Sequence, residues 1–430
     1  MTHAAKADNR TTRESNRALL LELLRDADAM TRSELARRSA LAKPTVSVIV
    51  DQLIDEGTLR EVGPGARRAA GGPRGRLVGL NADAAAFAGI HFGVRGTALA
   101  VADAKGVVRK ARVVGPFRDE AERAMIEVPQ LVRDLMHESG MPPEKLRGVG
   151  VAVPGLVHQE TGTCVMAPNL AWRDVPIRTR LTKSLRAPAT VRNSMQAGAI
   201  AEARLGVGKG ARSFVWMYVG TGIGAAVVLG GRVLYGRRGF TGEIGHWMVA
   251  HDGDPCACGR RGCLETVASN FAIESAARAA WARTHGGGLP TAPVDARAVA
   301  TAALRGDTAA RRILEGVGEY LGVAISSLLN LLDLDLVVLD GVAIRTGDCL
   351  MNAIRSSVAK HTIGGEPVPI VQSRVEQDAM LRGAVLLAME GDRVDFAEPG
   401  ADPTGAEAAG GVLLGVGRQA LGTTSEGDLG

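Results

Sequence analysis

Aromatic side chains are scarce in this chain: Phe, Trp and Tyr make up 3% of its 430 residues. Apolar volume must come instead from Ala, Val and Leu, within a hydrophobic share of 46% that suffices for a sizeable core. Nowhere do 18 uncharged apolar residues run together, so no transmembrane helix is expected. The opening segment MTHAAKADNRTTRESNR lacks the apolar stretch of a secretory signal, and a cytoplasmic, reducing setting follows. Cysteine is sparse too, five in all, and in such a setting a cluster of them favours metal over disulfide. Lysine supplies only 8 of the 51 basic residues, an arginine bias that hints at a GC-rich bacterial genome.

The length allows two or three domains at about 150 residues each. Net charge is +5, unevenly placed. Residues 1–80 hold 14 Lys and Arg against 10 Asp and Glu, whereas residues 81–430 hold 37 against 36. The surplus sits at the front, and that asymmetry points to an N-terminal contact with a polyanion.

Three helical patterns open the chain. Residues 15–27 carry Leu19, Leu20, Leu23 and Leu24 on one face. A second helix begins at TRSE, where Thr31 and Glu34 have capping-box spacing, and runs to about Arg38. A third starts with Pro44 at its first position and stops at Gly57. Its apolar stripe is Val46, Ile49, Val50, Leu53 and Ile54, while Thr45, Ser47, Val48 and Gln52 point elsewhere. Two short helices joined by a tight turn, the second amphipathic with small polar residues early on its outer face, describe a helix-turn-helix. Strand-like pieces at 58–62 and 76–80 then flank a Gly/Pro/Arg-rich loop, the pattern of a β-wing. Arg67, Arg68, Arg74 and Arg76 lie in or beside that loop, and directly after a helix-turn-helix they are expected to meet double-stranded DNA. Lys43, Thr45 and Ser47 are the matching candidates for the major groove.

From residue 81 the texture changes. FAGIHFGVRGTALAVADAKGVVRKARVV reads as three alternating strands with Lys105-Gly106 at the second turn. SFVWMYVGTGIGAAVVLGGRVLYG repeats the pattern with Gly230-Gly231 at its second turn. Each unit precedes helix-rich sequence, which suggests a duplicated α/β domain with a cleft between halves. Residues 311–340 predict a long apolar helix ending near Leu332 and then the strand LDLVVLD. The final stretch, 391–430, is rich in Gly, Ala and acidic residues and is expected to be disordered.

The sharpest local signal is HWMVAHDGDPCACGRRGCLE at 246–265. Cys256, Cys258 and Cys263 with His246 supply three thiolates and one imidazole, a full tetrahedral set for Zn²⁺. Gly259 and Gly262 let the short loop turn tightly enough to aim the sulfurs inward. Four protein ligands leave no open position, so the zinc is expected to be structural. Cys164 and Cys349 lie apart and suit buried packing.

GEIGHWMVAHDGDPCACGRRGCLE resembles the zinc signature of the ROK family, named for repressors, open reading frames and sugar kinases. VAVPGLV at 151–157, APNLAWRDVP at 167–176 and GTGIGAAVV at 220–228 match the family as well. The resemblance covers about residues 10–390 and implies an α/β chain in which a winged helix-turn-helix (1–80) precedes a two-lobed, actin-like, sugar-kinase-like domain (81–390) that binds effector and oligomerises. It implies a sugar site made of an Asn-Asp pair, the Glu and His of GEIGH, and the Glu after the last zinc cysteine. Those positions here are Asn193, Ser194, Glu243, His246 and Glu265, with Asn169 and Gly155 as further pocket candidates. His246 would ligate zinc through one nitrogen and face the ligand with the other. A structural pair bracing the zinc loop is the alternative for Glu243 and Glu265.

Three departures bear on catalysis. The family's catalytic base is the Asp of the pair, and Ser194 cannot serve as a base near neutral pH. The first phosphate loop, Asp-hydrophobic-Gly-Gly-Thr in kinase members, is His91-Phe92-Gly93-Val94-Arg95. The adenosine-side turn, usually Gly-Gly-Gly, is Asp340-Gly341-Val342, and only the second loop, Gly220-Thr221-Gly222-Ile223-Gly224, survives. Arg192 replaces the usual Glu before the Asn, adding positive charge near the pocket or else pointing to solvent. The expectation is a non-enzymatic sugar-responsive regulator, most simply a repressor, acting as a homodimer or homotetramer on a pseudo-palindromic operator. An ATP-dependent sugar kinase with an appended DNA head is the main rival, and a DNA-binding protein with an empty cleft is the second.

Overall fold

The structure, a computed structural model, describes residues 9–25, 27–64, 75–284, 294–364, 367–375 and 378–390. Arg67, Arg68 and Arg74 of the expected wing and the whole 391–430 stretch lie outside the described residues.

The N-terminal head is built from helices Asn9–Arg25, Arg32–Ser39 and Lys43–Asp55 and a small antiparallel sheet. Both halves of the capping box form: Glu34 N donates to Thr31 Oγ1 at 3.2 Å, and Thr31 N donates to Glu34 Oε2 at 2.8 Å. Such a cap is worth about 1 kcal/mol. The third helix buries Val46, Ile49, Val50 and Leu53 against Leu20, Leu24, Leu35 and Val78, and Ile54 is partly covered at the same face. Gly57 ends the turn after it with φ +74°, a backbone state that glycine adopts without strain. Strands Leu59–Pro64 and Arg76–Leu80 pair antiparallel as the stem of a wing, and Met30–Thr31 adds a third strand.

Beyond the head, the described residues form two five-stranded sheets of the same design and a small antiparallel sheet of Leu156–His158, Thr163–Ala167 and Trp172–Val175. In the first, the meander Ala86–Phe92, Thr97–Asp103, Val108–Val114 is extended by parallel strands Leu146–Val153 and Ala189–Asn193. In the second, Phe214–Val219, Ile223–Leu229, Arg232–Val233 is extended by Leu336–Asp340 and Ile370–Gln372. The duplication expected from the two meander sequences is therefore present, turn glycines included: Gly230 and Gly231 have φ +57° and +75°.

One expectation needs correction. The first meander does not alternate: Thr97–Asp103 is buried at every position and Ala86–Phe92 at all but His91. Helices cover both faces of this sheet. Ala121–Glu138 packs on one side through Val128, Val132 and Leu135. Ala379–Glu390 lies on the other, so close that a Cβ on Gly150 would fall 1.8 Å from the carbonyl oxygen of Ala384. A strand buried on both faces reads as a continuous apolar run, which alternation cannot register. The long helix Thr308–Leu332 and strand Leu336–Asp340 stand where the sequence placed them.

Helices Ser194–Leu205 and Ala379–Glu390 pack side by side, with Ala197, Ile200, Ala384 and Leu387 in a common core. Gly383 permits that approach, since a Cβ there would lie 1.8 Å from the Ala197 carbonyl oxygen.

Candidate ligand cleft and metal centre

The zinc-loop residues converge. Donor atoms of His246, Cys256, Cys258 and Cys263 all lie within 4.8 Å of one another. Cys258 Sγ and Cys263 Sγ are 3.7 Å apart, and Cys256 Sγ is 3.5 Å from His246 Nδ1. A tetrahedral zinc with Zn–S of about 2.3 Å and Zn–N of about 2.0 Å sets these separations at about 3.8 and 3.5 Å, so the donor set fits that ion. Desolvation opposes the Cys258 thiolate, but hydrogen bonds from Arg260 and the neighbouring thiols outweigh it and bring this thiol down to about 6. Burial first, then the adjacent thiols, push Cys263 up to about 12. The loop closes through bridges between Met248 and Cys263 and between Pro255 and Arg261. Gly262 is required there: its φ is +67°, and a Cβ would lie 1.6 Å from the Ala250 carbonyl oxygen.

With Nδ1 turned to the cysteines, His246 keeps Nε2 for the far side of its ring. Glu243 stands beside it, its carboxyl raised chiefly by burial and further by the nearby charge of Glu265, against the pull of His246. Glu265 is already engaged, for its Oε2 accepts the amide of Ile223 at 3.1 Å. It thereby ties the metal loop to the Gly220–Gly224 turn, where a Cβ on Gly222 would lie 2.3 Å from that same oxygen.

Asn193 caps the helix Ser194–Leu205, its Oδ1 accepting from Met195 N at 2.7 Å and its Nδ2 donating to Gly155 O at 2.6 Å. Two predicted pocket residues are thus in direct contact. Gly155 itself has φ +89° and would clash with Met166 O, 2.2 Å from a built Cβ. Met195 reaches Gly224, next to the Ile223 that Glu265 holds, so both groups border the strand Ile223–Leu229. Asn169 is exposed on the turn Pro168–Leu170, and no hydrogen bond joins it to them among the described residues.

The positions expected to handle phosphate are occupied by internal bonds. His91 Nδ1 lies 2.5 Å from Asp378 Oδ2, and Asp378 also accepts the amides of Met380 and Leu381 to cap Ala379–Glu390. Burial opposes the charge on Asp378, but these partners hold its carboxyl below the ordinary range. Gly93 and Gly96 bond each other across a tight hairpin. Buried Asp340 accepts from Arg345 Nε and from Gly341 N, each at 2.6 Å. The ring of Tyr218 lies over Gly220, 2.2 Å from where its Cβ would stand. Ser194 is 1% exposed, and its hydroxyl has no hydrogen-bond partner among the described residues.

Arg192 neither points to solvent nor stands open to the cleft. It is 1% exposed, stacks over Tyr235 at 5.2 Å, and donates from Nη1 to Val191 O and Gln159 O at 2.8 and 3.4 Å. Sequence reasoning missed Asp378, whose partner His91 lies 287 positions away, and also Tyr218 and Arg345, whose contacts with Gly220 and Asp340 are near in the chain but follow no motif.

The head carries its candidates as follows. Lys43 and Thr45 are exposed, Ser47 is half-buried, and Arg76 is exposed but paired with Glu61 on the facing strand. At the opposite end of the head, Glu22 Oε1 accepts from Arg204 Nη1 at 3.0 Å, and Arg204 Nη2 donates to Glu390 Oε2 at 3.2 Å. Arg25 is half-buried beside them, its guanidinium pulled down by desolvation while Glu390 and Glu22 counteract. Burial likewise pushes the Glu390 carboxyl up against the two arginines. Helices Ser194–Leu205 and Ala379–Glu390, which begin at the caps Asn193 and Asp378, therefore end beside the head.

Comparison with known proteins agrees with this layout. Residues 12–60 match the family described as winged helix-turn-helix DNA-binding, and residues 87–391 match the ROK family. The xylose repressor of Caldicellulosiruptor bescii is 25% identical over 400 residues, covering 90% of this chain and 98% of that one. Among solved structures, a ROK family transcriptional regulator, a homolog of the Escherichia coli MLC protein, superposes with a TM-score of 0.74 at 25% identity. It covers 87% of this chain and 96% of its own. A ROK family glucokinase from Streptomyces griseus, solved with glucose and AMPPNP, gives a TM-score of 0.62 at 26% identity. It covers 71% of this chain and all of its own. The chain belongs to the ROK family, with a winged helix-turn-helix ahead of its ROK domain.

Proposed function

We propose that this protein is a sugar-responsive DNA-binding repressor whose kinase-like cleft has lost phosphoryl transfer. Residues 1–80 bind an operator, and residues 81–390 bind the effector and oligomerise. The observation that carries this reading is one helix, Ser194–Leu205. It begins in the cleft with serine where a kinase needs a carboxylate base, and it ends on the DNA head through Arg204.

A sugar held by Asn193, Glu243, His246 and Glu265, with Gly155 and Asn169 at the rim, would meet carboxylates and an amide suited to hydroxyls. His246, Cys256, Cys258 and Cys263 would hold a structural zinc, which supplies no chemistry beyond fixing His246 and Glu265 in place. Ser194, at the position of the family's base, cannot take the proton from an attacking hydroxyl near neutral pH. His91 of the altered first phosphate loop and Asp340 of the altered adenosine-side turn are instead engaged by Asp378 and Arg345.

Regulation follows from the two helices that join cleft and head. Twelve residues of helix span about 18 Å. A shift of Asn193 on closing over sugar is carried along a rigid, closely packed pair to Glu22 and Arg25. The ligand moves the head only as far as it prefers one arrangement over the other. The C. bescii relative is named for xylose, which makes pentoses the first effectors to try. The test is a sugar panel scored twice, by melting temperature and by coupled detection of ADP with ATP and Mg²⁺. A shift in melting with one sugar and no ADP is expected. Turnover with any sugar would make the chain a kinase with an appended head.

A further inference from the structure

The outer face of the helix Lys43–Asp55 carries an apolar side chain where a surface helix gains nothing from one. Val48 is 55% exposed and sits opposite the buried stripe Val46, Ile49, Val50 and Leu53. A β-branched residue lowers helix propensity, and an isopropyl group facing water is no aid to solubility. Neither local folding nor core packing calls for valine at this position.

Charge along the same face limits what can approach it. Lys43 stands at the helix N-terminus, where the exposed amides also favour anions. The C-terminal half presents Asp51 and Asp55. Asp51 is held by Arg32 at 2.6 Å, and Glu56, just past the helix, is held by Arg17. A polyanion is therefore admitted at the N-terminal half and repelled from the other. This favours base contacts at the turns that hold Thr45 and Val48, with the uncharged Gln52, one turn on, at the edge of the acidic half.

We infer that Val48 is a specificity residue that reads the C5-methyl group of a thymine in the major groove, with the γ-methyl of Thr45 on the same ledge. The inference rests on the DNA-binding reading above. The thymine methyl is the apolar group that the four natural bases offer in that groove, so an exposed isopropyl at the centre of a recognition helix has one matching partner. Each half-site should hold a thymine at the position under Val48, flanked on one side by the base that Gln52 meets, for which adenine is the best match.

The test uses the full-length protein and the duplex it selects from genomic DNA, at one fixed salt concentration. Each thymine is replaced in turn by uracil, which removes the methyl and nothing else. One thymine per half-site is expected to weaken wild-type binding about fourfold when its methyl is lost. In Val48→Ala that penalty should vanish, whereas Val48→Ile should keep it, and neither exposed substitution should lower the melting temperature. The inference is overturned if uracil is tolerated throughout, or if its penalty persists in Val48→Ala. A protein that selects no duplex at all overturns the DNA-binding reading and this inference with it.

Discussion

Cys258 is the exposed member of the metal set, so it can be changed with little effect on packing. In the proposed zinc site it would complete a tetrahedron with Cys256, Cys263 and His246. Cys258→Ser should lower bound zinc sharply and reduce the melting temperature by about 5 °C, because metal binding free energy is also folding free energy. Metal analysis and a thermal scan on the same sample check this. A variant with full zinc and normal melting contradicts the structural role. The effect should spread to the cleft, since His246 and Glu265 flank the loop and Glu265 anchors Ile223. Sugar binding should weaken along with the zinc.

At the scale of elements, the close contact between Ser194–Leu205 and Ala379–Glu390 depends on Gly383. Gly383→Ala should cost about 3 kcal/mol in urea unfolding, because the obstruction is backbone and cannot rotate away. Gly316 is the control. It lies within the helix Thr308–Leu332 with no atom within 4 Å of an added Cβ. Gly316→Ala should stabilise by about 0.5–1 kcal/mol, as alanine does in a helix interior. The same elements mark what the sequence could reveal. The capping box at Thr31, the stripe of the third helix, the paired meanders and the cysteine cluster are local patterns, and each stands in the structure. What escaped has no local pattern. Arg204 meets partners 182 and 186 positions away, and His91 meets Asp378 across 287. Glu265 stood out in the sequence as a pocket candidate but not as the brace of the Gly220–Gly224 turn, because a backbone amide leaves no mark in a side-chain motif. Arg192 kept two readings open, and both yield to a buried cation stacked on Tyr235.

Across the whole molecule, the account requires that cleft and head share free energy through Glu22, Arg25, Arg204 and Glu390. Arg204→Ala should still bind sugar and still bind DNA, yet the factor by which sugar changes DNA affinity should fall toward one. Linkage demands that the factor by which DNA changes sugar affinity falls equally, so titrations in both directions test the same quantity. Unchanged coupling in this variant would place the transmission elsewhere. The most direct test of the central claim is selection of genomic DNA by the purified protein, followed by sequencing of what is retained. The account predicts a pseudo-palindromic motif beside genes for sugar uptake or breakdown, with retention altered by the sugar that shifts melting. Diffuse, salt-sensitive retention without a motif would contradict it.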